Sequence, residues 1–405
     1  MSWLNNLLDQ HKEYESPRNF WLWSSLAAIS AVVKDNIYLD KFLYKLYPNI
    51  YVMLHADSGL RKGPPVSMAR QLVKEVNNTR IIVGRSSIQG ILKDMGTFKT
   101  EPGGSIQKSS SAFFCSSELS SALVEDPAAV KILTDLYDRI YNAGDWTQLL
   151  KSDNFTLVDP ILTMLSATNA AMSEDFLDKT AIHGGYIART FIIYETERQA
   201  INSLMFKPER IVNYKEEAKY LKEISRLRGE VIMSHDCRLY FDSWYREFIS
   251  NIDRNQIRDP TGTLNRFDDS VLKVAILLSL GNEPKLILCQ TALEQAITYC
   301  ETLIGNVRKT TLKTGEGKWA AETGLLIEEL VRRDNHIISR QMVSKMYWAY
   351  ALASEWDEIA FTLEAAGIIK IEVNGNNILY KMSDEEADKW KRHWKEKFSN
   401  EKSEN

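Results

Sequence analysis

The 405-residue sequence predicts an α/β protein whose central sheet is mostly parallel and covered by helices on both faces. Short, continuously apolar segments rich in β-branched and aromatic residues alternate with segments of helical periodicity, as expected of strands buried on both faces. A helical region follows. Three further helical segments then precede a pair of strands around Asn-Gly-Asn-Asn, which predicts a winged-helix-like module.

These patterns divide the chain into five regions. An N-terminal helical region, an α/β core, a helical domain, a winged-helix-like domain and a charged helix with a polar tail are assigned to residues 1–46, 47–205, 206–309, 319–382 and 383–405. The core strands are predicted at 49–56, 80–84, 111–116, 161–168 and 186–195. Strands that alternate with helices in this way favour a parallel sheet.

Composition indicates a globular protein and excludes several functional classes. A formal net charge of −4 excludes a generally basic nucleic-acid coat and leaves room for a local basic channel. The four cysteines lack the Cys and Cys/His spacing of a zinc site, so we expect reduced thiols. The N-terminus lacks the layout of a signal peptide, and the longest apolar stretch, 23–33, is too short to span a bilayer. We therefore expect a cytoplasmic protein with no membrane partner.

The loop after the first core strand has the layout of a phosphate-binding loop. It reads Ala56-Asp57-Ser58-Gly59-Leu60-Arg61-Lys62-Gly63-Pro64, between a buried strand and a helical segment. In such a loop, backbone N–H groups face an anion and a lysine reaches the outer phosphates. The candidate phosphate-binding residues are Ser58, Gly59, Arg61, Lys62 and Gly63.

The amino-acid sequence of this loop departs from the pattern G-x-x-x-x-G-K-[ST]. Ala56, Arg61 and Gly63 replace its two glycines and its Ser/Thr. An ordinary strand-to-helix turn with a surface lysine therefore explains the loop equally well. Because the Ser/Thr hydroxyl normally ligates Mg²⁺, which Gly63 cannot do, a nucleotide could bind here and turn over slowly. Ser67, one turn further on, is only a weak substitute.

Six segments, taken in order and spacing, resemble a known family. They are FWLWSSLAAIS, HADSGLRKGPPVSMARQLV, FFCSSELSSAL, ILTMLSATNAA, HGGYIARTFIIYE and FDDSVLKVAILLSL, and the resemblance runs over residues 15–305. The family is the P-loop ATPases of phage and plasmid replication, long labelled only as a domain of unknown function and often fused to primase modules. The resemblance implies a RecA-like P-loop NTPase core in a helicase-like protein of a bacterial host cell.

The same resemblance implies cofactors, partners and residue roles. The cofactors would be ATP and Mg²⁺, and the partners would be identical subunits in a ring, single-stranded DNA and replication proteins such as a primase. Lys62 would bind phosphate, and Glu118 would polarise the attacking water. Asn169 would sense the γ-phosphate, and Arg189 would be an arginine finger that reaches a neighbouring subunit's nucleotide. Ser117 stands where the family has the acid that holds Mg²⁺, so which groups would ligate a metal is unknown.

Simpler structural explanations exist for some of these residues. An acid such as Glu118 is favourable at the start of a helix, and Asn169 is a common residue at a strand end. Arg189 lies in the apolar segment YIARTFIIY, where a buried charge needs a partner, and this favours a functional role. His183 has no accompanying nucleophile motif, so a hydrolase triad is not indicated.

Nucleic-acid contacts are predicted in two segments of the core. In 144–155, Trp146 could stack on a base and Lys151 could meet phosphate, although a packed Trp at a helix end is the ordinary explanation. Lys99 and Lys108 in the loop 97–111 are further candidates.

The third helical segment of the winged-helix-like module, ASEWDEIAFTLEAAG, contains four acids and neither Lys nor Arg. This acidity opposes docking in a major groove, so we expect the module to contact protein or to pack within a ring, with nucleic-acid contact as a secondary alternative.

The leading hypothesis is an oligomeric, helicase-like ATPase that acts on DNA in phage or plasmid replication. The alternative is a catalytically weak or inactive nucleotide-binding protein, such as a scaffold, a helicase loader or a structural assembly protein. Gly63 and Ser117 favour the alternative, because both departures affect the metal. ATP turnover stimulated by single-stranded DNA would support the first hypothesis, and tight assembly without turnover the second.

Overall fold

The computed structural model describes residues 2–76, 79–83, 87–96, 110–117, 127–138, 146–149, 154–168, 185–202, 212–254, 262–315, 320–347, 353–374 and 377–392. The chain divides into two compact units, Met1–Thr314 and Gly315–Asn405. Among the described residues, no helix has both the length and the apolar character needed to cross a membrane.

The first unit contains the predicted alternation of strands and helices. Its elements are α1 (Trp3–Gln10), α2 (Arg18–Val33), β1 (Ile37–Asp40), β2 (Lys45–Leu46), β3 (Tyr51–His55), α3 (Gly63–Lys74), β4 (Ile81–Val83), α4 (Ile88–Gly96), β5 (Ser111–Ser116), α5 (Pro127–Asp138), β6 (Trp146–Leu149), β7 (Asn154–Leu157), β8 (Ile161–Thr168), β9 (Thr190–Tyr194), α6 (Tyr214–Ile224), β10 (Gly229–Glu230), β11 (Ile232–Met233), α7 (His235–Arg254), α8 (Phe267–Asn282), β12 (Ile287–Leu288) and α9 (Gln290–Gly315).

The central sheet of the described residues is parallel and has five strands in the order β4-β5-β8-β3-β9. Every residue of β3, β5 and β8 is buried, which explains why these segments are apolar without alternation. The predicted α/β class with a parallel central sheet is therefore confirmed.

The two faces of the sheet are covered by different helices. Val52 and Leu54 of β3 share a hydrophobic cluster with α2, α3, α6 and α8, whereas Tyr51 and Met53 share another with α4 and α5. From β3 the chain crosses to β4 at one edge of the sheet and then returns through β5 and β8 until it is beside β3 again. The next strand, β9, lies on the other side of β3. The direction of the connections therefore reverses between the neighbours β3 and β8. In open parallel sheets, ligands bind at the carboxyl ends of the strands beside such a reversal.

Helix α2 explains the aromatic residues near the N-terminus. Phe20, Trp21 and Trp23 are buried, and the helix packs against α3, α8 and the sheet. A helix that is apolar on all sides is buried on all sides. The predicted N-terminal helical region thus shares one hydrophobic core with the sheet.

Two stretches expected to be helical contain strands instead. β1 and β2 form an antiparallel pair at the end of the region 1–46, because Ile37 and Leu39 are buried alternately with more exposed neighbours, a two-residue period. In the region 206–309, the short strand β10 pairs with β1, and β11 pairs with β12. Gly229, whose φ is +110°, begins β10 and interrupts the helical pattern there.

The second unit contains α10 (Ala320–Arg332), β13 (Ile337–Ser339), α11 (Arg340–Met346), α12 (Ala353–Ala365), β14 (Lys370–Asn374) and β15 (Asn377–Lys381). The three helices and the hairpin β14–β15 occur in the predicted order, and the additional strand β13 pairs with β15. Trp356 and Tyr380 are fully buried in its core. Two acids of α12 are used internally: Asp357 pairs with Arg340 at 2.6 Å, and Glu364 accepts the backbone N–H of Ile371.

The four cysteines are free and differ in their surroundings. Cys115, Cys237 and Cys300 are buried, and Cys289 is exposed. Burial raises the pKa of the Cys115 thiol to about 12. Partial burial alone would raise the pKa of Cys289, but hydrogen bonds from the Thr291 hydroxyl and from the backbone lower it.

Candidate phosphate-binding site

The loop 56–62 joins the carboxyl end of β3, the strand beside the reversal, to the N-terminus of α3. Ser58 and Gly59 are exposed at its tip. Gly59 has a φ of +95° and Arg61 a φ of +52°, so the chain turns sharply at two places. Glycine adopts such angles freely, whereas arginine adopts them only where its surroundings hold it.

Arg61 is held by residues that precede α2. Its Nε donates to Glu15 Oε2 at 2.9 Å, and its carbonyl accepts the Ser16 hydroxyl at 2.7 Å. Glu15 is buried and also pairs with Arg198, and the hydrogen bond from Arg61 holds the pKa of its carboxyl below the usual value. Arg61 was predicted as a phosphate ligand. In the structure its guanidinium pairs with the carboxylate of Glu15, and this contact fixes the loop to the segment before α2.

Lys62 spans the loop that contains it. Its Nζ donates to the carbonyl oxygen of Ala56 at 2.6 Å and to that of Asp57 at 3.0 Å. Lys62 is also the N-cap residue of α3. Its backbone thus lies at a helix N-terminus, where the partial positive charge of the helix favours an anion.

The first turn of α3 offers few backbone donors. Pro64 and Pro65 follow Gly63 in this turn and have no N–H group. An anion would therefore be held by the N–H groups of the loop, by Lys62 and by side chains beyond the first turn. Gly63 itself faces open space, since a Cβ added there would meet no atom within 4 Å.

A cavity of about 320 Å³ adjoins the loop, between α3 and the carboxyl ends of β4 and β5. Its lining consists of Gly63, Val66, Ser67, Arg70, Val83, Cys115, Ser116 and Ser117, so the described lining contains no carboxylate. Ser67 and Arg70 follow Gly63 by four and seven residues, which places all three on one face of the helix. Ser67 Oγ accepts a hydrogen bond from Gln71 Nε2 at 3.1 Å and keeps its own proton for another acceptor.

Glu118 and Asn169 lie outside the described residues. The residues before them, Ser117 and Thr168, belong to the same edge of the sheet as the loop, because Thr168 pairs with His55 at the end of β3. The predicted catalytic roles of Glu118 and Asn169 stay predictions. In the described part of the chain, no group of three or more His, Cys, Asp or Glu side chains is placed to hold a metal ion.

Arg189 lies at the opposite edge of the sheet. The strand predicted over 186–195 begins only at Thr190, and Arg189 ends a short 3₁₀ turn, Ile187–Arg189, before it. Thr190 pairs with Tyr51, the first residue of β3, whereas the loop follows its last residue. At the rise of a β-strand, these two ends are about 13 Å apart.

The buried guanidinium of Arg189 has a partner in its own chain. Its Nε lies 3.1 Å from both carboxylate oxygens of Asp138, its Nη2 also donates to Asp138, and its Nη1 donates to the carbonyl of Gly185 at 2.7 Å. Arg266 contacts the same carboxylate at 3.2 Å. The partner that the sequence required for Arg189 is therefore Asp138. To act as an arginine finger, the side chain would have to leave it.

The predicted nucleic-acid residues are only partly described. Trp146 begins β6, which forms an antiparallel hairpin with β7, so the helix end considered for this segment is replaced by a strand. The side chain of Trp146 lies outside the described part of the chain, as do Lys99, Lys108 and Lys151. No contact of these residues with nucleic acid is tested by the structure.

Sequence reasoning missed a second polar cavity, of about 430 Å³, at the amino end of the sheet. Lys273 of α8 is buried there, and its Nζ donates to the backbone and side-chain oxygens of Asn49 at 3.1 and 2.9 Å and lies 3.7 Å from the centre of the Tyr137 ring. Burial lowers the pKa of Lys273 to about 7, against the opposing effect of Asp269 and Asp138. A lysine inside the apolar segment VLKVAILLSL was the signal that could have revealed this site.

A scan of the sequence against protein-family models gives no match, and a search of the curated proteins gives none either. The function of the chain is therefore inferred from the geometry of its loop and cavities, together with the resemblance of its sequence segments.

Proposed function

We propose that the first unit is a RecA-like P-loop core that binds the phosphates of a nucleoside triphosphate at the loop 56–63. The observation that carries this proposal is the position of Lys62, whose ammonium spans its loop at the carboxyl end of a central parallel strand, beside the reversal of strand order. Numbered along the chain, the core strands lie in the order 2-3-4-1-5, and this parallel sheet is compatible with a Rossmann-like or RecA-like core.

Preorganisation of the loop supports the same proposal. The contacts of Arg61 with Glu15 and Ser16 hold a non-glycine residue at positive φ. A loop that is already held in shape loses little conformational entropy when an anion binds. The N-terminus of α3 and the ammonium of Lys62 supply the positive potential at its centre.

The wider function rests on the resemblance. By it, the chain is an oligomeric, helicase-like ATPase that acts on single-stranded DNA beside a primase in phage or plasmid replication. The alternative, a nucleotide-binding scaffold or loader without turnover, is favoured by the pairing of Arg189 with Asp138 inside one subunit. In this alternative no guanidinium from Arg189 reaches a neighbouring nucleotide.

Calorimetric titration with ATP, together with hydrolysis assays with and without single-stranded DNA, tests both versions. We expect Lys62→Ala to weaken ATP binding roughly 10- to 100-fold, because a charge-assisted hydrogen bond contributes about 1.5–3 kcal/mol. The matched control is Lys74→Ala, an exposed lysine in the last turn of the same helix. Absence of ATP binding by the wild type overturns the proposal. Turnover stimulated by DNA supports the motor, and binding without turnover supports the scaffold.

A further inference from the structure

The cavity beside the loop 56–62 is lined by Gly63 and Ser117, the two positions where the resemblance implies the Mg²⁺-binding residues of a P-loop protein. Magnesium takes oxygen ligands, and in P-loop proteins these come from the Ser/Thr after the lysine and from an acid at the end of a neighbouring strand. Here Gly63 has no side-chain oxygen, and Ser117 offers a neutral hydroxyl. The described lining offers serine hydroxyls and no carboxylate, so these residues by themselves do not fit Mg²⁺, and Glu118, which follows Ser117, lies outside the described part of the chain.

The same cavity contains a cation of the protein itself. Arg70 lines it from α3, on the helical face of Gly63 and Ser67. Side chains on a helix tilt toward its N-terminus, which in α3 is the end that follows the loop 56–62. Cys115, at the end of β5, lines the same cavity from the sheet.

A guanidinium can perform part of the work of a divalent cation. It is always charged, and its planar N–H groups bind phosphate oxygens in pairs. The Ser67 hydroxyl, on the same helical face, accepts a hydrogen bond from Gln71, and its own proton can be donated to a phosphate oxygen. Both features suit a bare, highly charged phosphate chain better than one already neutralised by a metal.

We infer that Arg70 takes the charge-neutralising place of Mg²⁺, so that the chain binds a nucleoside triphosphate without a divalent cation. This inference rests on the proposed nucleotide site, and it adds which group neutralises the negative charge of the bound phosphates. The inference also predicts that Mg²⁺ and Arg70 compete for the phosphates of ATP. Mg²⁺ neutralises two negative charges of ATP, and it brings a second cation toward the guanidinium.

Calorimetric titration of the full chain with ATP, in excess EDTA and in excess Mg²⁺, tests the inference. We expect the wild type to bind ATP in EDTA at least as tightly as in Mg²⁺. In EDTA, Arg70→Ala should weaken binding roughly tenfold or more, since it removes a charge-assisted contact. Arg70→Lys should retain part of the affinity through its charge, and Lys74→Ala should be unchanged.

The outcomes separate this inference from the proposal beneath it. If the wild type binds ATP only when Mg²⁺ is present, the inference is wrong and the nucleotide site stands. If Arg70→Ala binds ATP in EDTA as tightly as the wild type, Arg70 does not replace the metal. If the wild type binds ATP under neither condition, the nucleotide site itself is wrong.

Discussion

The ion pair between Arg189 and Asp138 allows a direct separation of a structural role from a catalytic one. The change is Arg189→Met, which keeps most of the apolar stem and removes the charge. In the wild type, the side chains of Arg189 and Asp138 are 7% and 17% exposed. Breaking a buried pair costs about 3–5 kcal/mol, because the remaining charge loses its partner. Since Arg266 still contacts Asp138, we expect the lower limit, about 3 kcal/mol.

Differential scanning calorimetry, with urea unfolding as a second measurement, detects a loss of this size. For a domain larger than about 150 residues, 1 kcal/mol corresponds to roughly 2 °C in Tm, so we expect Tm to fall by about 6 °C. Arg266→Met is the matched control. Its side chain is 32% exposed and makes one contact with Asp138, so its removal should cost about 1 kcal/mol or less.

One result would refute this reasoning. If Arg189→Met unfolds within about 0.5 kcal/mol of the wild type, a range typical of exposed sites, the pair does not stabilise the fold. If the same variant also loses ATP turnover stimulated by DNA, Arg189 leaves Asp138 during the reaction and acts as the predicted arginine finger.

Four further predictions concern stability, pH and metal dependence. Gly185→Ala should lower the free energy of unfolding by about 1–2 kcal/mol, because its φ is +73° and the new Cβ would lie 2.7 Å from Arg189 Nη1; an unchanged Tm would contradict this. Gly324→Ala, at an exposed and unobstructed position inside α10, should stabilise the second unit by about 0.5–1 kcal/mol in the same scans, and a lower Tm would count against it. The pKa of Lys273 falls from its ordinary 10.5 to about 7 on folding, so the unfolded chain binds more protons between these values and stability rises with pH. Urea unfolding should show a gain of about 2 kcal/mol for the wild type from about pH 7 to pH 9 relative to Lys273→Met, whereas parallel pH profiles would exclude the effect. Gly63→Ser adds a hydroxyl in open space at the position of the usual metal ligand, so Mg²⁺ should raise its ATP affinity relative to EDTA; equal values in both would show that this oxygen is not the missing ligand.

The core strands could be predicted from the sequence because each is a continuous apolar run. β3, β5 and β8 are buried on both faces, and for this reason their residues are mostly apolar without alternation. The strands β1 and β2 could not, because four residues and two residues are too short for a period to stand out from the helix before them. Strand order was also beyond prediction, since it depends on contacts between residues far apart in the chain.

The candidate site was predictable in outline and incomplete in its partners. Lys62 was found because the strand, the loop and the helix are consecutive in sequence. Arg189 was recognised as a buried charge, but its partner Asp138 lies 51 residues away and carries no local signal. Arg70 was missed for the same reason: only the packing of α3 against β4 and β5 brings it to the cavity beside the loop.

The contrast among the four thiols gives the protein a native attachment point. A thiol reacts as its thiolate, so the exposed Cys289, with its lowered pKa, should be alkylated well before the buried Cys115, Cys237 and Cys300. A fluorophore can therefore be placed at Cys289, immediately before α9, without any engineering of the chain. Slower alkylation at Cys115, which lines the cavity beside the loop 56–62, then measures how often that edge of the sheet opens and whether an occupant keeps it closed.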